Sequence, residues 1–268
     1  MNEDVSSPVM APKNMTAIVL KVNDLGESDK IVTFYSMQAG KMAGIAKGAK
    51  RSKKRFSNKL EIFSLLDVMY DDRGRAGLVR IAEAELLASF MSLREDYERY
   101  VSAALACELI YCWSRDYDAD KNIFHLLLWA LQNIDRGSSP LVVQIFFQVK
   151  LYTLLGYRLH LSGCIKCENN GQSGMPYIFH PGRHGLLCRT CHPALISREM
   201  VSLSLNTIKL LQHAQDLPME KLERLRFSDA SVREALQLFR VYGQYLLQRE
   251  IAAWNFLGKT EGQAYQSR

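Results

Sequence analysis

No stretch of this 268-residue chain is apolar over the roughly 18 residues that a bilayer-spanning helix needs, so a membrane span is not expected. Residues 1–14 lack the basic start and apolar run of a secretion signal. They read as a loose tail, and a cytoplasmic protein is expected. Also missing are the patterns GxxxxGK[ST], GxGxxG opening a helix, HExxH and GxSxG. Without them, nucleotide-driven work, dinucleotide chemistry and the common hydrolase mechanisms have no carrier. The acidic residues form no recognisable catalytic pair, and Asp71-Asp72 reads most simply as a turn. The expectation is therefore a protein that is not an enzyme.

One further lack is local. From Lys30 to Lys59 there is no Asp or Glu, while Lys30, Lys41, Lys47, Lys50, Arg51, Lys53, Lys54, Arg55 and Lys59 all fall there. The whole chain carries a net charge of +6, so the remainder is close to neutral or slightly acidic. Cationic charge concentrated in this way is the footprint of a polyanionic partner.

Hydrophobic residues make up 48% of the chain and charged residues 23%, enough apolar matter for a sizeable core in a water-soluble protein. Residues 15–88 read as strands. Ala17–Val22, Ile31–Tyr35, Lys41–Ala46, Leu65–Tyr70 and Leu78–Ala82 are short β-rich runs separated by turn residues such as Asp24, Gly26, Gly40 and Asp71-Asp72-Arg73-Gly74. Four or five such strands in about 75 residues suggest a small barrel, and an oligonucleotide-binding (OB) fold fits the count. From residue 89 the period becomes helical. Ser92 and Glu95 have the spacing of a capping box, and Leu93, Tyr97, Val101, Ala104, Leu105 and Leu109 follow at helical intervals. Further helices are expected at Lys121–Ile134, from Pro140 to near Gly156, at Asn206–Ala214, and from a second capping box (Ser231, Glu234) to about Trp254. The fold class is thus α+β. The expected domains are a tail at 1–14, an OB barrel at 15–88 and a helical domain at 89–160 and 196–257. A zinc-finger insertion at 161–195 interrupts the helical domain, and a C-terminal tail covers 258–268.

The insertion rests on Cys164-Ile165-Lys166-Cys167 and Cys188-Arg189-Thr190-Cys191, two CxxC units separated by twenty residues. In a chain without a secretion signal this pairing argues for metal rather than disulfides. Two such turns place four thiolates around one tetrahedral Zn2+, and four cysteines close the coordination sphere, which marks the ion as structural. His184 and His192 lie beside the motif, but surface positions are expected for both. Cys107 and Cys112 fall in an apolar helix, where burial as small core residues is expected.

The densest charge run is Lys47-Gly48-Ala49-Lys50-Arg51-Ser52-Lys53-Lys54-Arg55-Phe56. Its plain reading is a solvated loop. Set between strands of a barrel, it would line a groove that tracks a phosphate backbone, with Phe34, Tyr35 and Phe56 as candidates for base stacking and core packing the safer expectation for Phe34.

These residues together resemble a known family. Gly26-Glu27-Ser28-Asp29-Lys30-Ile31-Val32-Thr33, the Lys47–Lys53 run, Arg55-Phe56 and Leu60-Glu61-Ile62-Phe63 are similar to the N-terminal signature of the RecO family of bacterial DNA repair proteins. Leu154-Leu155-Gly156-Tyr157, the two CxxC units and the closing helix around Tyr245-Leu246 extend the likeness over roughly residues 15–257. The resemblance implies an OB barrel, a helical domain with a zinc finger, and a recombination mediator of the RecF pathway. Such a protein binds single- and double-stranded DNA, anneals complementary strands and, with RecR, helps RecA displace single-strand binding protein without ATP hydrolysis. It carries Lys47, Lys50, Arg51, Lys53, Lys54 and Arg55 over as DNA contacts, Cys164, Cys167, Cys188 and Cys191 as zinc ligands, and a nucleoid-associated cytoplasmic location. It also implies a basic, apolar site for the acidic tail of single-strand binding protein, for which Lys150, Arg224, Arg226, Arg233 and Arg240 qualify by type only. Two other classes stand beside it: an RNA- or ribosome-associated OB-fold module, which would prefer RNA through its 2′-hydroxyls, and a zinc-dependent hydrolase or nuclease, which would need an open metal position.

Overall fold

A computed structural model describes residues 12–72, 77–168, 176–191 and 200–257. Most of the two expected tails, Arg73-Gly74 of the expected turn, His192 and parts of the expected finger lie outside the described residues. Among the described residues no helix is long and apolar enough to cross a membrane. Contacts divide the chain into two units, 1–91 with 110–124, and 92–109 with 125–268.

The first unit is a closed five-stranded barrel. Strands β1 (Lys13–Leu25), β2 (Asp29–Ser36), β3 (Gly40–Ala46), β4 (Leu65–Asp71) and β5 (Leu78–Ala88) are hydrogen-bonded in the order β1-β2-β3-β5-β4, with β4 returning to β1. Every pairing is antiparallel except β3 with β5, which is parallel. This is the OB-like arrangement. β1 is long enough to serve two partners: Lys13–Ile18 pair with β4 and Ala17–Leu25 with β2, and a register shift between Val19 and Lys21 lets the strand bend around the corner. Alternation sets the interior, β3 reading buried–intermediate throughout. Met15, Val19, Val32, Phe34, Met42, Leu66, Val68 and Ile81 meet in the core. Gly44 faces Ile81 so closely that an added Cβ would stand 2.8 Å from Ile81 Cγ1, so no side chain fits where β3 and β5 close the barrel.

The strands run longer than alternation alone suggests, because pairing carries them past their apolar residues. Residues 110–124 belong with the barrel. Lys41 Nζ donates to the Tyr111 carbonyl (3.1 Å) and pairs with Asp116 (3.3 Å), while the Tyr35 hydroxyl accepts from the Asp120 N–H (3.2 Å). The chain passes so close to Gly40, which sits at φ 69°, that a Cβ there would lie 2.2 Å from the Asp118 carbonyl oxygen.

The second unit holds α1 (Ser92–Glu95), most of α2 (Tyr97–Trp113) and α3 (Lys121–Asp135), α4 (Pro140–Leu154), α5 (Leu205–Asp216) and α6 (Asp229–Leu247). α4 is buried from Val143 to Val149, Gln144 and Gln148 included, so it is the central helix, packed by α5 and α6. Its end explains the Leu-Leu-Gly-Tyr motif. Gly156 takes φ 83°, its N–H reaches the Thr153 carbonyl (3.2 Å) and the Tyr157 N–H reaches the Tyr152 carbonyl (2.7 Å), a Schellman cap that needs glycine at the left-handed position.

Both expected capping boxes resolve differently. Ser92 Oγ donates to the carbonyl and carboxylate of Asp135 (3.0 and 2.7 Å), and α2 is capped instead by Asp96, which accepts the Arg99 N–H (2.9 Å). α6 starts earlier than Ser231, with Ser228 accepting the Ser231 N–H (3.2 Å). Glu234 bonds across to Ser204, the cap of α5, accepting from its N–H and its hydroxyl (both 2.9 Å). α6 also stops at Leu247, with Gln248 left-handed at φ 49°, rather than running to Trp254.

The helical run is interrupted by a small sheet of β6 (His160–Cys164), β7 (Tyr177–His180), β8 (Gly185–Leu187) and β9 (Val201–Leu203), ordered β6-β8-β7-β9. Phe179 of β7 and Tyr242 of α6 meet edge-on at 5.3 Å, tying sheet to helix.

Candidate nucleic-acid interface and metal centre

The basic segment follows β3 directly. Gly48 is left-handed at φ 69°, a single 3-10 turn covers Ala49–Arg51, and Ser52 Oγ then accepts the N–H groups of Arg55 (3.1 Å) and Phe56 (3.2 Å). This folded loop sets Ala49 and Phe56 in the barrel core and leaves Lys47, Lys50, Arg51, Lys53, Lys54 and Arg55 exposed. All six predicted contacts therefore lie within one nine-residue stretch of surface.

The aromatic expectation is corrected. Phe34, Tyr35 and Phe56 are 0%, 1% and 3% exposed, so none is placed to stack on a base. Arg55 lies over the outer face of the Phe56 ring at 5.0 Å, which is how an aromatic within a cationic run becomes a core residue with a charged lid.

The cations are unequally paired. Lys50 Nζ is held by Asp24 (2.9 Å) and by the Gly26 carbonyl (3.0 Å), and Arg51 lies 3.6 Å from Glu27. Lys30 and Lys41, at the start of the acid-free stretch, pair with Glu61 and Asp116. Among the described residues, no ion pair engages Lys47, Lys53 or Lys54. Asp29, at the start of β2, accepts the Gly48 N–H (2.8 Å) and the Ser28 hydroxyl (2.8 Å). These two bonds, the backbone donor first, hold its carboxyl below the ordinary carboxylate range. The Gly26–Lys30 motif is thus the β1–β2 turn, as its glycine at φ 58° suggests, and it is also the wall on which the basic loop leans.

The four cysteines converge. Cys164 ends β6 and Cys188 follows β8; because β6 and β8 are parallel neighbours, the two CxxC turns lie side by side. The sulfurs of Cys164, Cys167, Cys188 and Cys191 all lie within 4.8 Å of one another, and Cys167 and Cys188 approach to 3.7 Å. A disulfide would need about 2.05 Å. Four sulfurs at about 2.3 Å from a central ion stand about 3.8 Å apart at the edges of a tetrahedron, a spacing that the Cys167–Cys188 approach matches. Burial pushes the Cys164 thiol up, but N–H groups of Cys188, Lys166 and Cys167 aimed at the sulfur outweigh it and bring the group to about 6, while hydrogen bonds with Cys167 and Cys188 push the Cys191 thiol up to about 12.

His184 is not among these ligands. Its Nδ1 lies 2.9 Å from the hydroxyl of the buried Tyr242 and it is partly buried itself, a structural histidine rather than the surface one expected. Cys107 is buried at 1%, and Cys112 is intermediate rather than fully buried.

Comparison with known proteins follows the same division. The family model for the N-terminal part of recombination protein O matches residues 10–90, and that for its C-terminal part matches residues 94–254. The chain belongs to the RecO family. Among relatives named DNA repair protein RecO, that of Syntrophus aciditrophicus is 28% identical over 243 residues, 91% of this chain and 94% of the relative. The Syntrophobacter fumaroxidans protein is 34% identical over 211 residues, covering 79% and 83%. The Desulfatibacillum aliphaticivorans protein is 30% identical over 254 residues, covering 92% and 97%.

Within this RecO-family chain, three of the candidate basic residues of the helical unit already have internal work, Arg226 by donating to the Glu223 carbonyl (2.5 Å). Lys150 donates to the carbonyls of Gln215 (2.9 Å) and Leu217 (2.5 Å), closing the C-terminus of α5, and burial lowers its pKa. Arg240 bonds to Asn255 (3.3 Å). Asp24, Glu27 and Asp29 are what sequence reading missed. Their signal was present in the Gly26–Lys30 motif, but nothing local says that a turn pairs with a loop some twenty residues away.

Proposed function

We propose that this chain is a recombination mediator of DNA repair: it binds DNA through the loop that carries Lys47, Lys50, Arg51, Lys53, Lys54 and Arg55, and anneals complementary strands without acting as an enzyme. The observation that carries this reading is a folded cationic loop, three of whose lysines have no ion pair among the described residues, on an OB-like barrel in a RecO-family chain. A row of fixed cations neutralises successive phosphates and releases their counterions, which gives affinity for single- and double-stranded DNA with little sequence preference. With base stacking by Phe34, Tyr35 and Phe56 removed, backbone contact carries the binding. Loose, sequence-neutral contact suits annealing, since two strands must slide until they find register.

One Zn2+ is the ion the four sulfurs fit, held by Cys164, Cys167, Cys188 and Cys191. When bound it supplies a crosslink between β6 and β8. A four-thiolate set leaves no position for an activated water, so the donor set speaks against a hydrolytic zinc. Partners in this reading are RecR, RecA through it, and single-strand binding protein, in the cytoplasm at the nucleoid. An acidic, apolar tail requires an apolar groove with a cation at its rim. A cleft of 380 Å³ lined by Trp129, Val142, Val143, Phe146 and Phe227 offers the apolar surface, with Arg226 and Glu223 both in its wall.

The test is fluorescence anisotropy with one sequence made as single-stranded DNA, duplex DNA and RNA. DNA binding that weakens with salt supports the proposal. Clear preference for RNA would instead favour the RNA- or ribosome-associated module.

A further inference from the structure

The six cations do not do the same work. We propose that Asp29 and Lys50 are positioning residues that preorganise the basic loop, while Lys47, Lys53 and Lys54 meet the phosphates; this rests on the DNA-binding reading above.

Besides the exposed Arg51–Glu27 ion pair, four contacts stitch the loop to the β1–β2 turn. The Gly48 N–H donates to Asp29 Oδ1 (2.8 Å), the Lys50 N–H to the Ser28 carbonyl (2.9 Å), and Lys50 Nζ reaches both the Gly26 carbonyl (3.0 Å) and the Asp24 carboxylate (2.9 Å). Lys50 thus spends its ammonium inward; its side chain is 27% exposed, against 72% for Arg51 beside it. Asp29 is itself fixed by Ser28 (2.8 Å), so the acceptor that meets Gly48 does not swing free. Gly48 is left-handed, a conformation that a loop abandons easily unless something holds its neighbours. The stitch holds it, and so sets the direction in which the chain leaves β3 toward Lys53 and Lys54.

An ion contact and a positioning contact differ in one measurable way. Each phosphate contact on a single strand contributes about 0.7 to the slope of log K against log salt. A residue that only orders the loop changes affinity at every salt concentration and leaves the slope alone, because the number of neutralised phosphates stays the same. Lys50 separates the two roles sharply, since removing its charge lowers the slope only if it touches DNA.

The experiment is salt titration of oligo(dT) binding by the full chain, with thermal melting to confirm folding of each variant. Lys53→Gln with Lys54→Gln is expected to reduce the slope by about 1.4. Asp29→Ala and Lys50→Met are each expected to weaken binding about tenfold with the slope unchanged, and their double variant to be little worse than either alone, because both cut the same stitch. Asp29→Asn, whose amide oxygen can still accept from Gly48, is expected to restore most of the affinity. A slope that falls by about 0.7 in Lys50→Met, or full affinity in Asp29→Ala, overturns the division of labour. Unchanged binding in the Lys53, Lys54 variant overturns the loop as the DNA interface, and the positioning proposal with it.

Discussion

The basic loop of the barrel and the paired CxxC turns of the helical unit are both short irregular segments that follow a strand, yet they handle charge in opposite ways. The loop sends like charges outward and ties its backbone to neutral and anionic groups of the neighbouring turn. The CxxC turns bring four sulfurs together, with N–H groups aimed at Cys164. Four thiolates at such distances repel one another unless a cation joins them. In the proposed reading the loop offers its charges to DNA from the protein surface, whereas the four sulfurs could hold a metal ion between them.

That contrast can be broken or sharpened in four ways. The largest effect is expected from the metal. Chelation, or Cys164→Ser with Cys188→Ser, should release zinc and lower stability by on the order of 3 kcal/mol or more, read by metal analysis and thermal melting. The salt slope of DNA binding should stay put; a slope that changes with the metal would make the cysteine cluster part of the DNA interface. Next, Lys47→Glu, Lys53→Glu and Lys54→Glu together should weaken DNA binding about 100-fold at moderate salt, with melting temperature and zinc content unchanged. A smaller change is expected within the helical unit. Glu234→Ala removes both bonds to Ser204, and calorimetry should show a loss of about 1 kcal/mol with DNA binding intact.

The smallest concerns pH. The folded pKa of Asp29 lies below its unfolded value, so the tie to Gly48 is fully present above the ordinary carboxylate pKa of about 4. It is lost as pH falls through the depressed folded value. Hydrogen exchange at the Gly48 amide should show protection that persists to about pH 4 and fades only in more acid solution. Protection that fades above pH 5 would detach Asp29 from the loop.

Much of this was legible in the sequence where the controlling interaction is local. Alternation at Lys41–Ala46 marks β3, CxxC spacing marks the sulfur cluster, and glycine in Leu-Leu-Gly-Tyr marks the end of α4. What escaped depends on residues distant in sequence. Glu234 has the spacing of a capping box with Ser231 but bonds to Ser204, because α5 brings that cap alongside. Phe56 looked available to a base because charged residues precede it, yet the loop folds it into the barrel. The acid-free stretch overstated the free charge, since Asp24, Glu27, Glu61 and Asp116 reach in from outside it.

The most direct test of the mediator role is annealing of complementary DNA strands coated with their single-strand binding protein, followed without ATP in the presence and absence of this chain. The expected result is faster annealing that fades as salt rises and disappears in the Lys47, Lys53, Lys54 charge-reversed protein. No acceleration on coated strands, while bare DNA is still bound, would contradict it and leave a basic binding module with no part in strand exchange.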